Sequence, residues 1–147
     1  EEAIKALKFG QKFFADTLAY SDGIAQLYGR LGQYDQAAAV IRSLAGTRPD
    51  DDLVGELNKL AQSAANANLA EQSAGLLRQA LEITPSNRPT WANLFMLYNA
   101  AGRKENAIST MEEYLRHFPA DTAVAGELER YRATGSFNLT STFGIHQ

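Results

Sequence analysis

At residues 88–121 the chain reads RPTWANLFMLYNAAGRKENAISTMEEYLRHFPAD, and two features of this stretch decide the fold. Apolar residues recur at helical spacing on either side of Gly102, and Pro119 closes the second run. Glycine enters the left-handed conformation that ends a helix without the steric cost of a Cβ. Proline disfavours helix in the residue before it. The stretch therefore predicts two amphipathic helices joined by a tight turn.

Working outward, the same arrangement occurs twice more. Pro49, Pro85 and Pro119 fall at intervals of 36 and 34 residues, each read as closing a helical pattern. The segments Gly32-Gln33-Tyr34-Asp35-Gln36-Ala37, Asn68-Leu69-Ala70-Glu71-Gln72-Ser73 and Gly102-Arg103-Lys104-Glu105-Asn106-Ala107 align with one another. Each puts Gly or Asn at the turn and a small residue five positions later. Between turn and proline runs an amphipathic helix, as at residues 74–83, where Leu77, Ala80 and Leu81 share one side. Internal periods of this length signal stacked helix pairs.

These residues resemble the tetratricopeptide repeat family. Trp91, Leu94, Tyr98, Gly102, Ala107, Met111 and Pro119 carry the likeness in residues 88–121. Ile24, Ala25, Tyr28, Gly32, Tyr34, Ala37, Ile41 and Pro49 carry it in 18–51, and Leu57, Leu60, Ala61, Leu77, Ala80 and Pro85 in 54–87. The resemblance implies an all-α fold, a right-handed superhelical stack of antiparallel helix pairs with a concave partner-binding face. Phe95 departs from the pattern, which favours a small residue there, so the third pair is expected to spread or to show that ring. Ala64 and Ser73 stand where Tyr and Ala are favoured, so the second pair is expected to be loosely filled.

Helices are expected to flank the repeats at 1–14, with Ile4, Leu7, Phe13 and Phe14 packing, and at 122–132, with Val124, Leu128 and Tyr131 covering the third pair. The helical domain thus spans 1–134. Asp50, Asp51 and Asp52 read as helix-start residues whose carboxylates accept backbone N–H groups. From 135 to 147 the period changes to two: Phe137, Leu139, Phe143 and Ile145 alternate as in a strand. The helical stack offers no evident place for Phe137 or Phe143. This extended tail is therefore a candidate contact surface, able to pair with a neighbouring copy.

Composition excludes several classes. The net charge of -3 with interspersed signs provides no basic stripe for nucleic acid. No apolar run reaches the roughly 18–20 residues that span a bilayer. Without cysteine there are no disulfides, thiolate metal sites or cysteine nucleophiles. His117 and His146 lack the convergent partners of a catalytic base or metal ligand, and Glu112-Glu113 point in different directions on a helix. Neither a phosphate loop nor a hydrolase motif is present. No catalytic residue, metal or cofactor is assigned, and the compartment is left open. The chain begins at Glu1 rather than Met, which suggests processing or excision from something longer.

The expected function is binding of a protein or peptide partner by a non-catalytic scaffold. The resemblance implies a concave lining of Asp22, Gln26 and Arg30 in the first repeat, Asn58, Lys59, Gln62 and Asn66 in the second, and Asn93, Met96 and Asn99 in the third. Their amides suit the main chain of an extended peptide. Some family members clamp a C-terminal carboxylate with cations. Here Asp22, Gln26, Pro89 and Asn93 occupy those places, which disfavours that mode. Two alternatives stand beside the scaffold reading: an assembly subunit joined through its tail strand, or the repeat segment of a larger exported protein similar to those of bacterial exopolysaccharide secretion, which place such repeats before a β-barrel.

Overall fold

The computed structural model describes residues 1–13 and 17–138, and all their side chains except those at 7, 10–13 and 17–20. Among the described residues the fold is all-α: α1 (Glu2–Phe13), α2 (Thr17–Arg30), α3 (Tyr34–Arg42), α4 (Asp50–Asn66), α5 (Ala70–Ile83), α6 (Arg88–Ala100), α7 (Lys104–His117) and α8 (Thr122–Thr134). They form two compact units that meet in sequence at Thr84 and Pro85. In the first, α1 to α5 pack each on the next; in the second, α6, α7 and α8 do the same. Each unit is a run of helical hairpins in which consecutive helices pack together.

The turns are where local chemistry sets the hairpins. Gly32, Asn68 and Gly102 all have positive φ, at 70°, 60° and 68°. The residue after each donates its N–H back across the turn: Gln33 to the Tyr28 carbonyl at 2.9 Å, Leu69 to Ala64 at 2.9 Å and Arg103 to Tyr98 at 2.8 Å. These bonds, with those that Gly32, Asn68 and Gly102 themselves donate to the carbonyls three residues back, satisfy the carbonyls that a helix end would leave bare. One turn chemistry is used three times.

The prolines divide differently. Pro85 and Pro119 follow α5 and α7 within two residues, as expected. Pro49 instead heads α4, since α3 already stops at Arg42 and the chain turns through Gly46 at φ 80°. With proline at the N-cap, Asp50, Asp51 and Asp52 form the first turn of α4 rather than its cap. There their charge meets the positive end of the helix dipole.

In the first unit Ile24, Ala37, Ile41, Leu53, Leu57, Ala64, Leu77 and Ala80 form a continuous buried seam. Ile4 of α1 is buried, while Phe14 and the side chains of Leu7 and Phe13 lie outside what the structure describes. The expected looseness of the α4–α5 pair does not occur. Ala64 and Ser73 are both buried, and the Ser73 hydroxyl donates to the Ala61 carbonyl at 2.8 Å. The small side chains let the helices approach, and the hydroxyl stitches them together. Ser73→Ala should lower stability by about 1 kcal/mol, read as a urea midpoint shift. An unchanged midpoint would mean the stitch contributes nothing.

In the second unit Trp91, Leu94, Phe95, Met111, Tyr114 and Val124 are fully or nearly fully buried. The expectation that Phe95 spreads its pair or shows its ring fails for a clear reason. Tyr131 of α8 stands edge-on to it with centroids 5.4 Å apart, and Phe137 lies against it at 4.1 Å. Phe137 therefore has a place in the helical unit after all. Leu139, Phe143, Ile145 and His146 lie outside the described residues.

Candidate functional site

The first unit carries a groove of about 360 Å³ between α2 and α4. Ala25, Ile41 and Leu60 contribute apolar surface, and Asp22, Gln26, Arg30, Glu56, Lys59 and Ser63 contribute polar groups. Gly29 of α2 lies so close to α4 that a Cβ there would stand 3.0 Å from a Leu60 methyl. Absence of a side chain at 29 thus sets the depth of the groove.

Three of its four charged lining residues are paired. Arg48 donates to the Asp22 carboxylate at 2.6 Å and lies 3.9 Å from Asp52. Lys59 donates to Glu56 at 2.8 Å, three residues earlier on α4, and that bond holds the Lys59 ammonium pKa above its ordinary value. The Arg30 side chain, at the end of α2, has no hydrogen bond or ion pair among the described residues and is exposed. An exposed guanidinium without a carboxylate remains available to an incoming acceptor.

Of the residues expected to line a partner surface, Asp22, Gln26, Arg30 and Lys59 meet in this groove. Asn58, Gln62 and Asn66 do not line it. They fall on a different row of α4 from Glu56, Lys59, Leu60 and Ser63, as the 100° step per residue requires. The Asn58 amide donates to the Val54 carbonyl at 2.9 Å, and Gln62 donates to Asn66 at 2.9 Å. An amide-lined face is therefore not what the groove offers; Gln26 is its one amide among the described residues. Asn93, Met96 and Asn99 belong to the second unit, all exposed, with Asn99 accepting a 2.8 Å bond from the Tyr131 hydroxyl.

Small residues are what sequence reading missed. Counted from the left-handed turns at Gly32 and Gly102, Ala25 corresponds to Phe95 in the second unit, and Gly29 to Asn99. Aromatic rings fill the space between α6 and α8, whereas the small Ala25, Gly29 and Ser63 leave the space between α2 and α4 open. Comparing repeats position by position for volume would have exposed this contrast.

The second unit holds a separate polar cluster. Asp121 accepts from the Tyr114 hydroxyl at 2.6 Å, from Arg88 at 3.1 Å and from the Val124 N–H at 3.2 Å. Burial, then the bond to Asp121, pushes the Tyr114 pKa well above its ordinary 10.0. Every member has a structural partner, so the cluster fastens α7 to the start of α8. Among the described residues, no group of three or more His, Asp or Glu side chains is placed to hold a metal ion, and no helix is long and apolar enough to cross a membrane.

No family model matches the chain, and no curated protein matches it. Among solved structures, a crystal structure of MamA is similar at 15% identity and a TM-score of 0.49, covering 90% of this chain and 77% of that one. A second MamA structure gives 16% identity and a TM-score of 0.48, covering 90% and 72%. Likeness at that level carries no inference about function. The helical-repeat fold rests on the three left-handed turns, the hairpins they close and the apolar seams between them.

Proposed function

We propose that the chain is a non-catalytic protein-interaction module whose first unit binds an extended peptide segment of a protein partner in the α2–α4 groove. The observation that carries this reading is the groove itself: an open channel with an apolar floor and a mixed polar rim, left by Ala25, Gly29 and Ser63. An extended segment presents apolar side chains to such a floor and main-chain N–H and C=O groups to its rim. Gln26 supplies both a donor and an acceptor, and Arg30 supplies donors to a carbonyl or carboxylate. With two acidic and two basic lining residues, the rim favours no strongly charged ligand.

The test fills the channel with bulky aromatic side chains. Peptides are selected from a random display library on the unaltered chain, then measured against Ala25→Phe/Ser63→Tyr and Arg30→Ala. The filled variant should bind at least tenfold more weakly with unchanged helical circular dichroism, and Arg30→Ala should cost a few-fold. Failure to select any peptide, or equal binding to the filled variant, would overturn the reading.

A further inference from the structure

We propose that Phe95, Tyr131 and Glu127 form a binding site for an aromatic-anchored extended segment, occupied in the resting chain by its own Phe137. This site belongs to the second unit and does not depend on the groove of the first.

The geometry is that of a ligand in a notch. The Phe137 ring tilts against Phe95 at 4.1 Å and stands perpendicular to Tyr131 at 6.3 Å. Both walls stand on helices that end before it. Phe95 belongs to α6, its complete burial including the cover that Phe137 gives it, and the Tyr131 hydroxyl donates to Asn99 across to α6 at 2.8 Å. One residue further on, the main-chain N–H of Asn138 donates to the Glu127 carboxylate at 3.2 Å. Arg130 holds that carboxylate at 2.5 Å. A ring and a backbone N–H are thus read together, the pair of contacts by which an extended segment is recognised.

The connection is built to let go. Gly135 ends α8 in the left-handed conformation at φ 68°, with its N–H donating to the Tyr131 carbonyl at 2.8 Å. Ser136 follows, with its N–H held only by the Thr134 hydroxyl. Helix α8 is therefore complete without Phe137, which remains part-exposed. Release about Gly135 and Ser136 would uncover an aromatic notch without disturbing a helix. The α2–α4 groove of the first unit, where Ala25 stands in place of Phe95, remains open.

A tether of two residues sets the effective concentration of Phe137 at the millimolar level or above, so a free segment competes poorly until the tail is disarmed. The experiment uses the full chain carrying Phe137→Ala. The probe is a fluorescein-labelled synthetic peptide with the sequence of residues 134–141, read by anisotropy. The variant should bind it at least tenfold more tightly than the unaltered chain does, and a peptide with its own Phe replaced by Ala should bind neither. Equal binding to both chains, or none to the variant, overturns the proposal. Should Phe137→Ala lose helicity, nuclear Overhauser contacts in the unaltered chain decide. Contacts from the Phe137 ring to Phe95 and Tyr131 that weaken under several millimolar peptide support it; contacts that are missing or unaffected overturn it.

Discussion

Replacing Trp91 with alanine should cost about 3–5 kcal/mol, the largest single loss expected in the chain. The indole is 2% exposed and is the largest of the fully buried side chains. It stands edge-on to Tyr114 with centroids 6.2 Å apart and lies 5.5 Å from the His117 ring. Its Nε1–H donates to the Pro85 carbonyl at 2.8 Å, tying the start of the second unit to α6. Truncation removes the buried area, leaves a cavity between α6 and α7, and strips that carbonyl of its donor. With a urea slope of about 1–3 kcal/mol per molar, the midpoint followed by circular dichroism should fall by more than 1 M. Met96→Ala on the same helix, exposed at 40%, is the control and should change stability by less than about 0.5 kcal/mol. Similar shifts for both would mean that α6 is not seated as described.

Asp121→Ala should cost about 2–4 kcal/mol. The carboxylate caps α8 through the Val124 N–H, worth about 1 kcal/mol, and it satisfies the hydroxyl of the wholly buried Tyr114. A buried donor left without an acceptor costs about a further 1–3 kcal/mol. Asp121→Asn keeps an acceptor for the cap and should fall between the two. The ion pair with Arg88 is half exposed on the arginine side and adds little. The same cluster sets an alkaline dependence. Because Tyr114 is harder to deprotonate in the folded chain than in the unfolded one, the neutral phenol favours folding at any pH below about 10. That contribution is lost as pH rises beyond this. Tyr131 has a pKa raised in the same direction, by burial and then by the charge of Glu105, so Tyr114→Phe should reduce the alkaline loss without abolishing it. A steeper loss in Tyr114→Phe would contradict the sign.

What could be read in advance was local. Gly32, Asn68 and Gly102 were legible as turns because a left-handed residue is a property of one position, whatever the chain does elsewhere. Periodic apolar residues identified Trp91, Leu94, Leu77 and Ala80 as buried, since a helix turns every residue by a fixed angle. The error over Pro49 was also local in origin. Its spacing matched the other prolines, but α3 had already ended seven residues before it.

Which of the expected lining residues share the α2–α4 groove was legible only in part, because lining a groove depends on which neighbour a face meets. Asp22, Gln26, Arg30 and Lys59 face the α2–α4 channel, while Asn58, chosen by the same repeat logic, turns its amide to its own helix. By itself, then, the sequence determined the helices, their pairing and the apolar seam, all consequences of spacing along one chain. Only the tertiary structure decided which groove is open and which is filled. Whether a cleft between helices remains empty depends on the volumes of side chains brought together from distant positions: Ala25 and Ser63 in one unit, Phe95, Tyr131 and Phe137 in the other.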